Sequence, residues 1–210
     1  HEFGHALHGM LANTTYSSLS GTSVSWDFVE LPSQILENWC YEKEALALFA
    51  KHYQTGEVIP MEYVEKIKES ASFHEGMQTL RQLSFGILDM AWHGGKTPED
   101  ILSVKEFEAQ AFSETQLYPD VTENCMSTAF SHIFQGGYSA GYYSYKWAEI
   151  LDADAFEYFQ EKGIFNKEVA YKFKEHILSR GGTEKPMVLH KRFRGKEPRP
   201  EALLKRAGLL

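Results

Sequence analysis

The sequence predicts an all-α fold, a multi-helix bundle, and three observations lead there. Apolar residues recur at three- and four-residue steps along most of the chain, as on one face of a helix. No stretch alternates apolar and polar residues in the manner of a half-buried strand. The periodic stretches halt at turn signals such as Thr55-Gly56 and Gly94-Gly95. With 210 residues, 43% of them apolar, the chain can bury a sizeable core, and one domain is the natural count.

Taken in order, residues 1–12 read as the first helix. Residues 13–24, rich in Asn, Thr, Ser and Gly, form a polar, turn-rich link. From 32 to about 53, Ile35, Trp39, Leu46, Leu48 and Phe49 recur at helical spacing, beginning at Pro32, a residue favoured in a first turn. Helices over 61–70 and 73–92 follow. Beyond Thr97-Pro98-Glu99-Asp100 a short helix covers 104–112, and Tyr118-Pro119-Asp120 marks a loop. Residues 139–160 and 166–178 form two further helices, the second ended by Gly181-Gly182. Short helical turns over 186–193 and 200–207 complete the series, with no internal repeat and no low-complexity linker.

Composition excludes several function classes. The net charge is -8, and basic residues are scattered until the tail, so no continuous positive surface for nucleic acid is expected. The basic run Lys191-Arg192-Phe193-Arg194-Gly195-Lys196 is short and reads as a solvated helix end. No apolar run is long enough to cross a bilayer, so no membrane partner is expected. Cys40 and Cys125 lack zinc-finger spacing and read as ordinary buried thiols. Such sparse cysteine usage fits a reducing compartment.

The most chemical stretch is the opening one, His1-Glu2-Phe3-Gly4-His5. A helix advances about 100° per residue, so His1 and His5 share one face a turn apart and can grip a single metal ion. Glu2 projects beside that face, able to reach a water on the metal but too far round to bind it. A catalytic zinc takes three protein ligands and keeps a fourth position for water. Glu30, just ahead of Pro32 at a helix start, is the acidic candidate; without Glu2 and the His pair it reads as a solvated acid complementing the helix dipole. His8 lies two turns from His1, roughly 10 Å away, and reads as a packed histidine or a support for the ligands. Asp27 or Gln34 would hold the far nitrogen of a ligating histidine, with helix capping the equal alternative. His74-Glu75-Gly76-Met77-Gln78 looks like a broken copy of the opening motif and is ascribed to chance. His52, His93, His176 and His190 read as surface or satisfied core residues. Tyr138, Tyr142 and Tyr145 fall at i, i+4 and i+7, which by periodicity alone is a core stripe.

His1-Glu2-Phe3-Gly4-His5-Ala6-Leu7-His8, Ser20-Gly21-Thr22, Asp27-Phe28-Val29-Glu30 and Pro32-Ser33-Gln34 together resemble the thimet oligopeptidase family of zinc metallopeptidases. Phe130-Ser131-His132 and Gly136-Gly137-Tyr138-Ser139-Ala140-Gly141-Tyr142-Tyr143-Ser144-Tyr145 resemble the second signature region of that family. Within it the likeness is nearest to bacterial peptidyl-dipeptidases of the Dcp type. The resemblance implies one zinc ion held by His1, His5 and Glu30, with Glu2 as general base. It implies that Tyr138, Tyr145 and His132 donate hydrogen bonds to the scissile carbonyl from a loop that closes over substrate, and that Tyr142 and Gly137 lie against the peptide. The spacing from His132 to Tyr138 is one residue longer than in mammalian relatives. The link around Gly21 would run along an extended peptide as an added strand.

Family members are longer, mostly helical and two-lobed, and 1–210 would be the C-terminal portion of the catalytic domain. An N-terminal portion, absent here, would then be its partner. Short peptides are the implied substrates, with dipeptides released from their carboxyl ends. The competing expectation is a folded helical module that binds metal or peptide without cutting. A structural zinc site would need a fourth protein ligand, and none is evident in the sequence.

Overall fold

Helices account for nearly all regular structure in the computed structural model, which describes residues 1–95 and 98–210. Among the described residues the β pairing is an isolated antiparallel bridge between Lys51 and Val58. Thr97, part of the turn expected before the 104–112 helix, lies outside the described residues. No helix among them is long and apolar enough to cross a membrane.

The helices are α1 (Glu2–Met10), α2 (Trp26–Val29), α3 (Leu31–Glu37), α4 (Lys43–Phe49), α5 (Met61–Ala71), α6 (Glu75–His93), α7 (Val104–Phe112), α8 (Met126–Ala129), α9 (Ser131–Phe134), α10 (Ser144–Lys162), α11 (Lys167–Phe173), α12 (Pro186–Arg194) and α13 (Glu201–Arg206). Three expectations need correction. The single helix expected over 32–53 is broken into α3, a 3-10 turn over Asn38–Tyr41, and α4. Asn38 sits at the break; its side-chain amide donates to the carbonyls of Gln34 and Ile35 and to Asp152, offering local bonds that compete with a continuing ladder. Glu42 is then extended. The helix expected from 139 begins only at Ser144, because Ala140 takes positive φ. Cys40 is exposed and Cys125 only half-buried. Trp39 turns its ring inward against Phe156 and Phe159, which sends its neighbour Cys40 outward.

The chain divides into two compact units, residues 1–75 with 147–210, and residues 76–146. In the first, α2, α3, α10, α11 and α12 bury a cluster that includes Phe28, Leu31, Ile35, Leu151, Phe156, Ile177 and Leu189. Burying each such side chain contributes about 1.5–3 kcal/mol. Asn166 opens α11 by accepting from the amides of Glu168 and Val169. A buried ion network ties α10 to α12: Asp154 accepts from His190 at 3.0 Å and faces Arg194 at 3.4 Å, and Arg194 also reaches Glu157 at 2.8 Å. In the second unit, Leu88, Phe130 and Ile133 form a smaller cluster joined by Phe85, Trp92, Phe112 and Tyr142. The buried Glu108 of α7 caps α8 by accepting from the amides of Met126 and Ser127.

Candidate metal centre

Helix α1 reaches α3 at the closest spacing two backbones allow. A Cβ placed on Gly4 would stand 2.3 Å from the Pro32 carbonyl oxygen and 2.4 Å from the Ser33 Cα. Glycine at this one position therefore lets the two helices touch, and it brings the His1–His5 face over the start of α3. Glu30 is the residue immediately before α3, with Pro in its first turn, as the sequence predicts. Its carboxylate is buried, 4% exposed, and is oriented by Ser33, whose hydroxyl donates to Glu30 Oε2 at 2.9 Å.

The three expected ligands converge. Glu30 Oε2 lies 3.3 Å from His1 Nε2 and 3.4 Å from His5 Nε2, and the donor atoms of all three lie within 4.8 Å of one another. Two donors on a tetrahedral zinc with bonds of about 2.1 Å stand about 3.4 Å apart. Two imidazoles and one carboxylate, closed on the protein side by Gly4 and Ser33 and exposed along His1, thus fit a three-ligand zinc site with a position left for water. The imidazoles of His1 and His5 meet edge to face, with ring centroids 5.2 Å apart.

Glu37 was not anticipated from the sequence. Its Oε1 lies 2.6 Å from Nδ1 of His1, so that His1 donates to Glu37 through Nδ1 and turns Nε2 toward Glu30. Asp27 and Gln34 are the residues from which the sequence leads one to expect such support, and Glu37 stands three residues past Gln34. Its signal is the seven-residue step from Glu30, two helical turns on one face. Asp27 and Gln34 are half-buried in the first turn of α2 and within α3. Glu2 is exposed at the start of α1. His8 is fully buried on α1; burial, with the charge of nearby His5 adding to it, lowers its pKa to about 4, which keeps the ring neutral.

Gly21 is buried, with φ +55, and a Cβ there would come within 3.0 Å of the Gly9 Cα. Its glycine requirement therefore includes contact with the metal helix. Thr22 and Ser23, next to it in that link, are exposed.

In the second unit the three phenols do gather, although not for the expected reason. Tyr138 lies between α9 and α10, and Tyr142 lies in the turns before α10, so a shared helix face does not group them. The turn itself does. Tyr138 and Tyr145 stack with centroids 5.0 Å apart, and Tyr142 lies 5.3 Å from Tyr145. His132, on α9, has its ring 6.3 Å from Tyr138 and 6.1 Å from Tyr142. Tyr143 points elsewhere and is exposed. Burial, assisted by Tyr145 and opposed by Arg81, pushes the Tyr142 phenol up. Gly137 is exposed with φ 84.

The family model for Peptidase family M3 matches residues 1–209. The chain belongs to Peptidase family M3. Among its relatives, it is 48% identical to Oligopeptidase A of Escherichia coli (strain K12) over 210 residues, all of this chain and 31% of that protein. It is 44% identical to Probable cytosolic oligopeptidase A of Arabidopsis thaliana, again over all of this chain and 31% of the relative. Identity to Dipeptidyl carboxypeptidase of Escherichia coli (strain K12) is 40% with the same coverage. The chain thus spans about 31% of the length of these M3 relatives.

Proposed function

We propose that this M3 chain carries the zinc-binding part of a peptidase acting on short peptides, with His1, His5 and Glu30 holding one zinc ion. The observation that carries this reading is the convergence of those three side chains, with Glu30 Oε2 3.3 and 3.4 Å from the two imidazole nitrogens. Bound there, zinc would supply Lewis acidity, polarising a peptide carbonyl and lowering the pKa of a water toward about 7. The residues of the chain do the rest. Glu2, exposed beside His1, accepts the proton of the attacking water and returns it to the leaving amine. Glu37 fixes the His1 tautomer.

Tyr138, Tyr145 and His132 come into the reaction by family resemblance, as donors to the developing oxyanion. A phenol with an ordinary pKa near 10 stays protonated at neutral pH, and losing one such donor typically costs about 3 kcal/mol of transition-state stabilisation. Tyr142 and Gly137 are assigned to the substrate side on the same ground, and Thr22, exposed next to Gly21, is the residue of that link set to meet a peptide. The name of one Arabidopsis thaliana relative, Probable cytosolic oligopeptidase A, supports a cytoplasmic setting.

Release of C-terminal dipeptides follows from the likeness to the dipeptidyl carboxypeptidases; the higher identity to the oligopeptidase A proteins favours internal cleavage as a second reading. Mass spectrometry of products from a peptide with a free carboxyl end and from its amidated twin separates the two. For the reading as a whole, a quenched fluorescent peptide is cut by the full-length protein, activity is removed by a chelator, and zinc restores it. Glu2→Gln should then bind zinc as tightly as the parent while kcat falls about 10²–10⁴-fold. Cleavage that survives the chelator, or a fully active Glu2→Gln, would overturn it. A folded protein that binds zinc and cuts nothing would be the inert module instead.

A further inference from the structure

We propose that Asp89, on α6, is the positioning residue of the tyrosine turn. This rests on the reading above that Tyr138 and Tyr145 meet the substrate. Asp89 is fully buried, and its carboxylate gathers three donors. Oδ1 accepts from the Ala140 amide at 2.9 Å, Oδ2 from the Tyr142 amide at 2.8 Å, and His93 Nδ1 lies 2.8 Å from Oδ1. Charge-assisted bonds of this kind are roughly twice as strong as neutral ones, and a buried carboxylate is costly unless such donors surround it.

The turn needs the help. Ala140 has φ 54, a left-handed conformation that carries a steric cost for any non-glycine residue. The bond from its amide to Asp89 offsets that cost at the strained residue itself. Two further residues on the same face of α6, at steps of three and four, complete the support. The Phe85 ring packs edge to face on Tyr142 with centroids 5.8 Å apart, and Gln82 Oε1 accepts from the Tyr142 hydroxyl at 3.2 Å. Tyr142 is thereby held at its amide and at its phenol. It is a strut against which the stacked rings of Tyr145 and Tyr138 rest. Asparagine is the same size but has one acceptor oxygen; its NH2 group would face one of the two amides, donor against donor.

The test is made on the full-length, zinc-loaded protein. In Asp89→Asn, hydrogen exchange over residues 136–145 should quicken about tenfold or more, with exchange in α7 and zinc affinity unchanged. kcat should fall about tenfold or more with KM within about twofold, the result expected of misplaced reacting groups. That penalty should vanish in a Tyr138→Phe/Tyr145→Phe background, because Asp89 acts through those phenols. Adding Ala140→Gly should restore part of the lost protection and turnover, since glycine takes positive φ unaided. Unchanged exchange over 136–145, an equal kcat penalty in both backgrounds, or a general loss of protection that Ala140→Gly does not rescue would each overturn the proposal. Wild-type turnover in Tyr138→Phe/Tyr145→Phe would instead defeat the reading on which it rests, and the exchange result would still decide whether Asp89 holds the turn.

Discussion

A histidine that binds metal through Nε2 leaves a second nitrogen to satisfy, and at His1 that partner is Glu37, 2.6 Å away. Losing such a partner typically weakens metal binding about 10–100-fold. Glu37→Ala should therefore raise the zinc dissociation constant by that factor in a competition titration while leaving the fold intact by circular dichroism; unaltered affinity would remove Glu37 from the site. His1, His5 and Glu30 were legible in the sequence because their signals are local: a one-turn spacing for the pair, and a proline-marked helix start for the carboxylate. Glu37 was not. Its contact depends on where α1 lands across α3, which no short window encodes. Gly21 was also read for its backbone alone, whereas burial against Gly9 gives it a packing reason as well.

Helix contacts turn these residues into a site. At Gly4 the added methyl of Gly4→Ala would collide with the Pro32 carbonyl, and overpacking of this kind costs about 1–3 kcal/mol. Because α1 must then lift from α3, the variant should lose zinc affinity as well as stability; a loss of stability with unaltered zinc binding would show that the close approach does not set the ligand spacing. A second contact, between α10 and α12, makes stability depend on acid. Burial alone would raise the Asp154 pKa, but His190, Arg194 and Lys196 outweigh it and hold the carboxyl below its ordinary value of 3.8. As pH falls below that value the unfolded chain takes up this proton first. The stabilisation is therefore complete above pH 3.8 and is lost as pH drops through the lower folded value. Asp154→Asn should be about 3 kcal/mol less stable near pH 7, and the gap to the parent should narrow below pH 4 in denaturant titrations; a constant gap would contradict this. Helix positions were mostly legible from apolar periodicity, as at α5, α7 and α12. The break at Asn38 and the late start of α10 were not, since the Asn38 amide is shared between local carbonyls and distant Asp152, and the Ala140 amide is held by Asp89, far away in sequence.

For the chain as a whole, composition and periodicity identified an all-α protein, and the signature stretches identified Peptidase family M3, whose model matches residues 1–209. The division into two compact units, each with its own apolar cluster, was not visible, because apolar periodicity tells which face of a helix is buried but not which partner covers it. The phenols gather in one unit and the candidate metal ligands in the other, and each arrangement is explained by contacts within its own unit. The proposed function depends most on the second of these. Crystals of the zinc-loaded protein, measured on both sides of the zinc absorption edge, should give a single strong anomalous peak bonded by His1 Nε2, His5 Nε2 and a Glu30 carboxylate oxygen. A peak elsewhere, or one at the histidines with Glu30 outside the coordination shell, would contradict it.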